Sequence, residues 1–287
     1  MKLSMELYTH SEKFGDFRAV EMLKEAGFDA FDYSYYYNKE QQEVLSDNYI
    51  EYAKKLREHI DKVGISCTQA HAPFSYQYGD GLTIEDKKYR EIVRAIESAA
   101  ILGAKNIIVH SVKVPKDIDF EEYNIEFYKS FIPYCEKAGI CVAVENLFIR
   151  DPKRRSFITR RLGSPEALNA IIEKINSPYI VACVDVGHAA LTGYEPEDFI
   201  EGVKPEFLKA LHIQDTDYID DRHVIPFAGD FNWEAIMKAL KKSGYEGDMT
   251  MEIIKYINRF PDELFAEATK FAATIGKHLI SIFEGAN

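Results

Sequence analysis

A chain of 287 residues, 46% hydrophobic and 29% charged, has ordinary globular composition and is long enough for two average domains or one large α/β barrel. That composition excludes a disordered polymer, and a formal charge of -12, from 35 basic and 47 acidic residues, sets the overall field against DNA, RNA and anionic membranes. The N-terminal stretch Met1-Lys-Leu-Ser-Met-Glu-Leu-Tyr lacks a signal-type apolar run and no segment approaches the roughly 20 apolar residues of a membrane helix, so a cytoplasmic protein without membrane partners is expected.

Short β-rich runs alternate with amphipathic stretches from end to end, the pattern of parallel strands joined by helical crossovers. Strands are expected over 2–8, 29–34, 65–70, 106–110, 140–145, 180–185, 207–213 and 248–253. Helices are expected over 16–26, 43–63, 85–102, 120–138, 164–175, 195–202, 232–243 and 261–282. Ser164-Pro165 reads as a cap followed by proline at the first helical position, and Gly27, Gly64, Gly103, Gly139 and Gly244 each stand just past a helix end. Eight strand and helix pairs in 287 residues fit a closed (β/α)8 TIM barrel of class α/β better than an open sheet, and no linker divides residues 1–287, so one domain is expected. Cys67, Cys135, Cys141 and Cys183 lack zinc-knuckle spacing and read as reduced core residues.

Catalytic groups in such barrels come from the C-terminal ends of the strands and the loops that follow. Four segments run apolar and then end in a metal-type side chain: Gly139 to Glu145, Tyr179 to Asp185, Phe207 to His212 and Asp248 to Glu252. A charged or imidazole group where a buried strand emerges carries a desolvation cost, so four in succession suggest a shared cation. Six histidines fall on the same expected face: His71, His110, His188, His212, His223 and His10, whereas His59 and His278 fall within helices. Asp221 adds an acid two residues before His223. Three carboxylates and one imidazole suit Mn²⁺, Mg²⁺ or Co²⁺ ahead of a closed thiolate-type zinc site, with Mn²⁺ placed first and Zn²⁺ kept as an alternative.

These residues carry a family resemblance. Ala143-Val-Glu145-Asn, Val184-Asp185-Val-Gly-His188, Leu211-His212-Ile-Gln-Asp215, Met251-Glu252-Ile and Gly229-Asp-Phe-Asn-Trp233 resemble the xylose-isomerase-like barrels. That superfamily takes in sugar phosphate isomerases and epimerases, ketose 3-epimerases, hydroxypyruvate isomerases, inosose dehydratases and endonuclease IV. The resemblance to its epimerase-type members implies that Glu145, Asp185, His212 and Glu252 hold one divalent metal and that Glu145 and Glu252 act on the substrate from opposite sides. It also implies that His188 contacts substrate oxygens, with His71, His110 and His223 as further substrate contacts. Where ketose epimerases place an arginine after the histidine ligand, this chain reads Asp215-Thr-Asp-Tyr218, and the nearest arginine, Arg222, takes the substrate-binding role by expectation. The resemblance to endonuclease IV implies a different use: His71, His110, His188, Asp221 and His223 would join the four strand-end ligands around three zinc ions.

Two local features stay open. Arg150, Lys153, Arg154, Arg155, Arg160 and Arg161 crowd the loop after the fifth strand, either as a solvated basic loop or to capture a substrate phosphate or carboxylate. The tyrosines of Phe31-Asp-Tyr-Ser-Tyr-Tyr-Tyr37 either wall a sugar pocket or pack a lid. The expected activity is a metal-dependent isomerase or epimerase of a small sugar or sugar phosphate, working by proton transfer through a metal-stabilised enediolate. An endonuclease-IV-like phosphodiesterase and an inosose-type dehydratase are the alternatives, and barrels of this type often form homo-oligomers.

Overall fold

The computed structural model describes residues 1–36, 45–151, 156–158 and 161–286. The elements in chain order are β1 (Leu3–Glu6), α1 (Tyr8–Phe14), α2 (Asp16–Ala26), β2 (Ala30–Ser34), α3 (Tyr49–Val63), β3 (Ser66–His71), α4 (Lys87–Leu102), β4 (Asn106–Val109), α5 (Phe120–Ala138) and β5 (Cys141–Glu145). There follow β6 (Ile149–Asp151), β7 (Ser156–Ile158), α6 (Pro165–Ile175), β8 (Ile180–Asp185), α7 (Val186–Leu191), α8 (Pro196–Gly202), β9 (Leu208–His212), α9 (Trp233–Lys242), β10 (Met249–Met251), α10 (Ile254–Ile257) and α11 (Asp262–Gly285).

Eight parallel strands run in the order β10, β1, β2, β3, β4, β5, β8, β9. The ring closes where Ile213, just past β9, bridges to Met251: Ile213 N–H donates to Thr250 O at 2.7 Å, and Glu252 N–H donates to Ile213 O at 2.9 Å. This is the expected (β/α)8 barrel. Every expected strand and helix is present, although the helix expected over 43–63 begins at Tyr49, with residues 43 and 44 outside those described. Not anticipated are α1, α7, α10 and the antiparallel β6–β7 hairpin, which decorate the loops after β1, β8, β10 and β5. Helices of 7, 6 and 4 residues span too few turns to show a 3.6-residue period.

Local chemistry explains the regular helices. In α9, Trp233, Ile236, Met237 and Leu240 are buried at the i, i+3, i+4, i+7 spacing of one helical face, and the Asn232 side chain accepts from Ala235 N–H at 3.2 Å. Ser164 caps α6 in the same way at 3.2 Å, with Pro165 at the first helical position. Helix α4 ends on Gly103 in a left-handed conformation (φ 105°), and a Cβ there would lie 2.3 Å from Arg57 Nη1, which donates to Leu102 O at 3.0 Å.

The main apolar core fills the space between sheet and helices. A second, smaller cluster of Ile108, Ala143, Val181, Cys183 and Ala210 belongs to the strands' other face, the barrel interior. Because strand side chains alternate, Glu145 shares a face with Ala143, Asp185 with Cys183 and His212 with Ala210. The interior therefore holds this apolar cluster below and ionisable groups where the strands end. All four cysteines are free, and burial pushes the Cys183 thiol up to about 12.

Candidate metal and catalytic site

The strand ends bring Glu145, Asp185, His212 and Glu252 together, each 7% exposed or less, with one donor atom from each within 4.8 Å of the others. His212 Nδ1 lies 2.9 Å from Glu145 Oε1 and 3.3 Å from Glu252 Oε2. Parallel pairing sets this up, since Asp185 is directly opposite His212 in the β8–β9 ladder and Glu145 opposite Cys183 in the β5–β8 ladder.

Cys183 forms one donor group with Glu145 and His212 of the quartet, and two further groups flank it. In one, His110 Nε2 is 2.7 Å and His71 Nε2 3.9 Å from Glu145 Oε2. In the other, Asp221 Oδ1 is 3.0 Å from His223 Nε2 and 3.9 Å from His188 Nε2. Five of the six histidines expected on this face thus converge. His10 does not: it is fully buried against α11, bonded through Nε2 to Thr269 Oγ1 at 3.0 Å and edge-on to Phe265. Arg222 Nη1 reaches Asp217 at 3.3 Å within its own loop and does not line the cavity. Of the basic loop, Arg161 borders the site, whereas Lys153, Arg154, Arg155 and Arg160 lie outside the described residues. Tyr36 also borders it, Tyr33 and Tyr35 are buried in the core, and Tyr37 lies outside the described residues.

The buried carboxylates are shifted in opposite directions. Burial alone would raise the Glu145 carboxyl, yet His110 and His212 hold it well below its ordinary range. Burial pushes Glu252 up to about 8 against the pull of His212 and His223, with Asp185 and Glu145 adding to the rise. Glu145 Oε2 is buried and, despite the nearby His110, accepts no aligned hydrogen bond; Asp32 Oδ1 is in the same condition. An unsatisfied buried acceptor costs about 1–3 kcal/mol, and three buried carboxylates around one imidazole form an oxygen-rich donor set for a divalent ion.

Several supporting residues escaped the sequence reading. Gln214 donates through Nε2 to both Asp185 oxygens at 3.1 and 3.0 Å and accepts from His223 N–H at 2.8 Å, tying the quartet to a flanking group. Gly187 makes room for it, because a Cβ there would lie 2.6 Å from Gln214 Cδ. Asn146 locks β5 to β8 by accepting from Asp185 N–H at 2.7 Å and donating to Asp185 O at 2.9 Å. Asp32, fully buried inside β2, faces His212 Nε2 at 3.6 Å and leaves Nδ1 for the quartet. Its signal was present in the sequence as a lone acid on the inward parity of an apolar strand; for Gln214 the only hint was its place two residues past His212.

The quartet opens into a cavity of about 350 Å³, whose walls include Tyr36, Phe74, His110, Leu147, Phe148 and Arg161. Phe74 stacks on His110 with ring centroids 4.5 Å apart, so the apolar wall directly backs the polar groups. Such a space accepts a small molecule with several oxygens at one end.

Comparison with known proteins agrees with this architecture. An uncharacterised protein of Methanocaldococcus jannaschii is 27% identical over 244 residues, covering 82% of this chain and 78% of that protein. A D-tagatose 3-epimerase-like protein superposes with a TM-score of 0.75 at 24% identity, covering 99% of this chain and 98% of that one. The IolI protein, solved with a bound zinc atom, superposes with a TM-score of 0.68 at 17% identity over 100% of this chain and 99% of its own. The family model described as xylose isomerase-like TIM barrel matches residues 20–279, and the chain belongs to that family.

Proposed function

We propose that this chain is a divalent-metal-dependent isomerase or epimerase acting on a small hydroxy-ketone, a sugar or sugar phosphate. One observation carries the reading: Glu145 and Glu252 converge on His212 Nδ1 at 2.9 and 3.3 Å while both line the cavity. The epimerase-like structural neighbour and the zinc-containing IolI protein support it.

Glu145, Asp185, His212 and Glu252 would hold a divalent cation, with Mn²⁺ placed ahead of Mg²⁺, Co²⁺ and Zn²⁺, and the bound ion would supply Lewis acidity toward negative charge on a substrate oxygen. Glu145 or Glu252 takes the proton from the carbon beside the carbonyl, giving an enediolate. Return of a proton to the opposite face by the other glutamate inverts that centre, whereas return to the neighbouring carbon moves the carbonyl. His110 and His188 border the same space and donate hydrogen bonds to substrate oxygens. Tyr36, Phe74 and Phe148 limit water around the reacting carbon.

The test is hydrogen exchange. Metal-loaded Glu145→Gln and Glu252→Gln variants, given ketoses and ketose phosphates in deuterated water, are expected to lose carbon-bound exchange by about 10²-fold or more, the usual contribution of a positioned base. Unimpaired exchange in both variants would overturn the proposal. A product lacking one water would instead mark an inosose-type dehydratase.

A second reading rests on the two flanking donor groups, which together with the quartet engage all nine residues that the endonuclease IV resemblance implies. It predicts three zinc ions per chain and cleavage of abasic DNA that falls steeply with salt. The net charge of -12 favours the sugar enzyme, for which metal analysis is expected to give about one labile ion.

A further inference from the structure

The cavity is lined by acids that are all spoken for: Glu145, Asp221 and Glu252 belong to the donor groups. Its lining also contains a lysine and an arginine that the reaction does not use, Lys113 and Arg161. They come from the segments following β4 and β5, so they flank the mouth above the strand that ends in Glu145. Lys113 makes no ion pair and no side-chain hydrogen bond among the described residues, and its neighbour at alternate spacing, Ser111, also lines the cavity without a side-chain partner among them. Arg161 is braced. Its guanidinium carbon lies 4.6 Å from the centre of the Phe120 ring and one Nη donates to Val114 O at 3.4 Å. A guanidinium held over a ring and bonded to a backbone carbonyl has lost much of its rotamer freedom before any ligand arrives.

We infer that Lys113, Arg161 and Ser111 form an anion subsite for a phosphate monoester carried by the substrate at the end remote from its carbonyl. The inference rests on the sugar-directed reading and narrows it to phosphorylated ketoses. Two cations and a hydroxyl match a dianion with three terminal oxygens, whereas a carboxylate offers one charge and two oxygens. In a chain of net charge -12, Lys113 stands at the cavity mouth with no acidic partner among the described residues, a positive charge that a neutral sugar would not need. The adjoining hollow of about 650 Å³ shares Phe74, His110, Ser111 and Lys113 with the site, so there is room for the substrate to extend past the reacting carbons toward Lys113.

The test uses metal-loaded protein and has two arms. Calorimetric titration with inorganic phosphate is expected to show binding that weakens about tenfold or more in Lys113→Met and separately in Arg161→Met, the effect of losing one charge-assisted hydrogen bond. In the activity arm, the ratio of kcat/KM for ketose phosphates to that for free ketoses is expected to fall by at least the same factor, through KM. Thermal melts of both variants exclude unfolding as the cause, and Lys113→Met, at an exposed position, keeps the test open if Arg161→Met misfolds. Equal phosphate affinity in the wild type and both variants would mean that phosphate sits on the cation and would overturn the inference, as would the absence of phosphate binding. Acetate binding as tightly as phosphate would make this a carboxylate subsite and overturn it too. Phosphate binding that depends on Lys113 in a protein that exchanges no ketose hydrogen would keep the subsite and fail the isomerase reading; exchange with no preference for phosphorylated ketoses would do the reverse.

Discussion

Replacing Gln214 with Leu removes an amide that touches no substrate-facing surface yet organises the proposed cation site. Its Nε2 donates to both Asp185 oxygens at 3.1 and 3.0 Å, and its Oε1 accepts from His223 N–H at 2.8 Å. Hydrogen bonds to a buried charge are worth roughly 1.5–3 kcal/mol each, and the two donations to Asp185 come from one –NH₂ group, so they count as about one such interaction. A loss of that size corresponds to a roughly 10–100-fold weaker cation affinity, the range found when partners that orient a ligand are removed. Calorimetric titration of Mn²⁺ into metal-stripped protein reads this directly. Gly187→Ala is expected to move affinity the same way, because its Cβ would come within 2.6 Å of Gln214 Cδ and push the amide off Asp185. Unchanged Mn²⁺ affinity in Gln214→Leu, with a melting curve showing a folded protein, would refute the reasoning that Asp185 is a ligand held by this amide.

Acid stability offers an independent check far from the cation site. Burial lowers the His10 pKa from 6.5 to about 3, so above pH 6.5 both folded and unfolded chains keep it neutral. Below that, only the unfolded chain takes up the proton, and folding stability falls by about 1.4 kcal/mol per pH unit until the folded group titrates near 3. His10→Gln is expected to remove this component, and denaturant titrations giving parallel stability curves for both proteins between pH 6.5 and 5 would contradict it. Asp215 is expected to be structural: it accepts from Thr216 N–H at 2.9 Å, Phe227 N–H at 2.8 Å and Trp233 Nε1–H at 2.9 Å. Asp215→Ala strands these donors and should cost about 2–4 kcal/mol, read as a lower denaturation midpoint; a midpoint equal to the wild type would show that the loop between β9 and α9 does not depend on it.

Much of this was legible in the linear chain because it is written by neighbours. Short apolar runs mark the strands, so Glu145, Asp185, His212 and Glu252 could be assigned to the barrel mouth from their position at the ends of those runs. Helix periods and capping pairs such as Ser164-Pro165 are equally local. Contacts between distant segments are not. Nothing near His10 in sequence says that Phe265 and Thr269 will enclose it. Asp32, Gln214 and Lys113 acquire their roles only when closure of the ring fixes what stands across from each side chain. The chain thus specified its eight units and the residues at their ends, whereas tertiary structure decided which of those residues meet, because the direction a side chain faces is set locally and its partner is set by the curvature of the whole barrel.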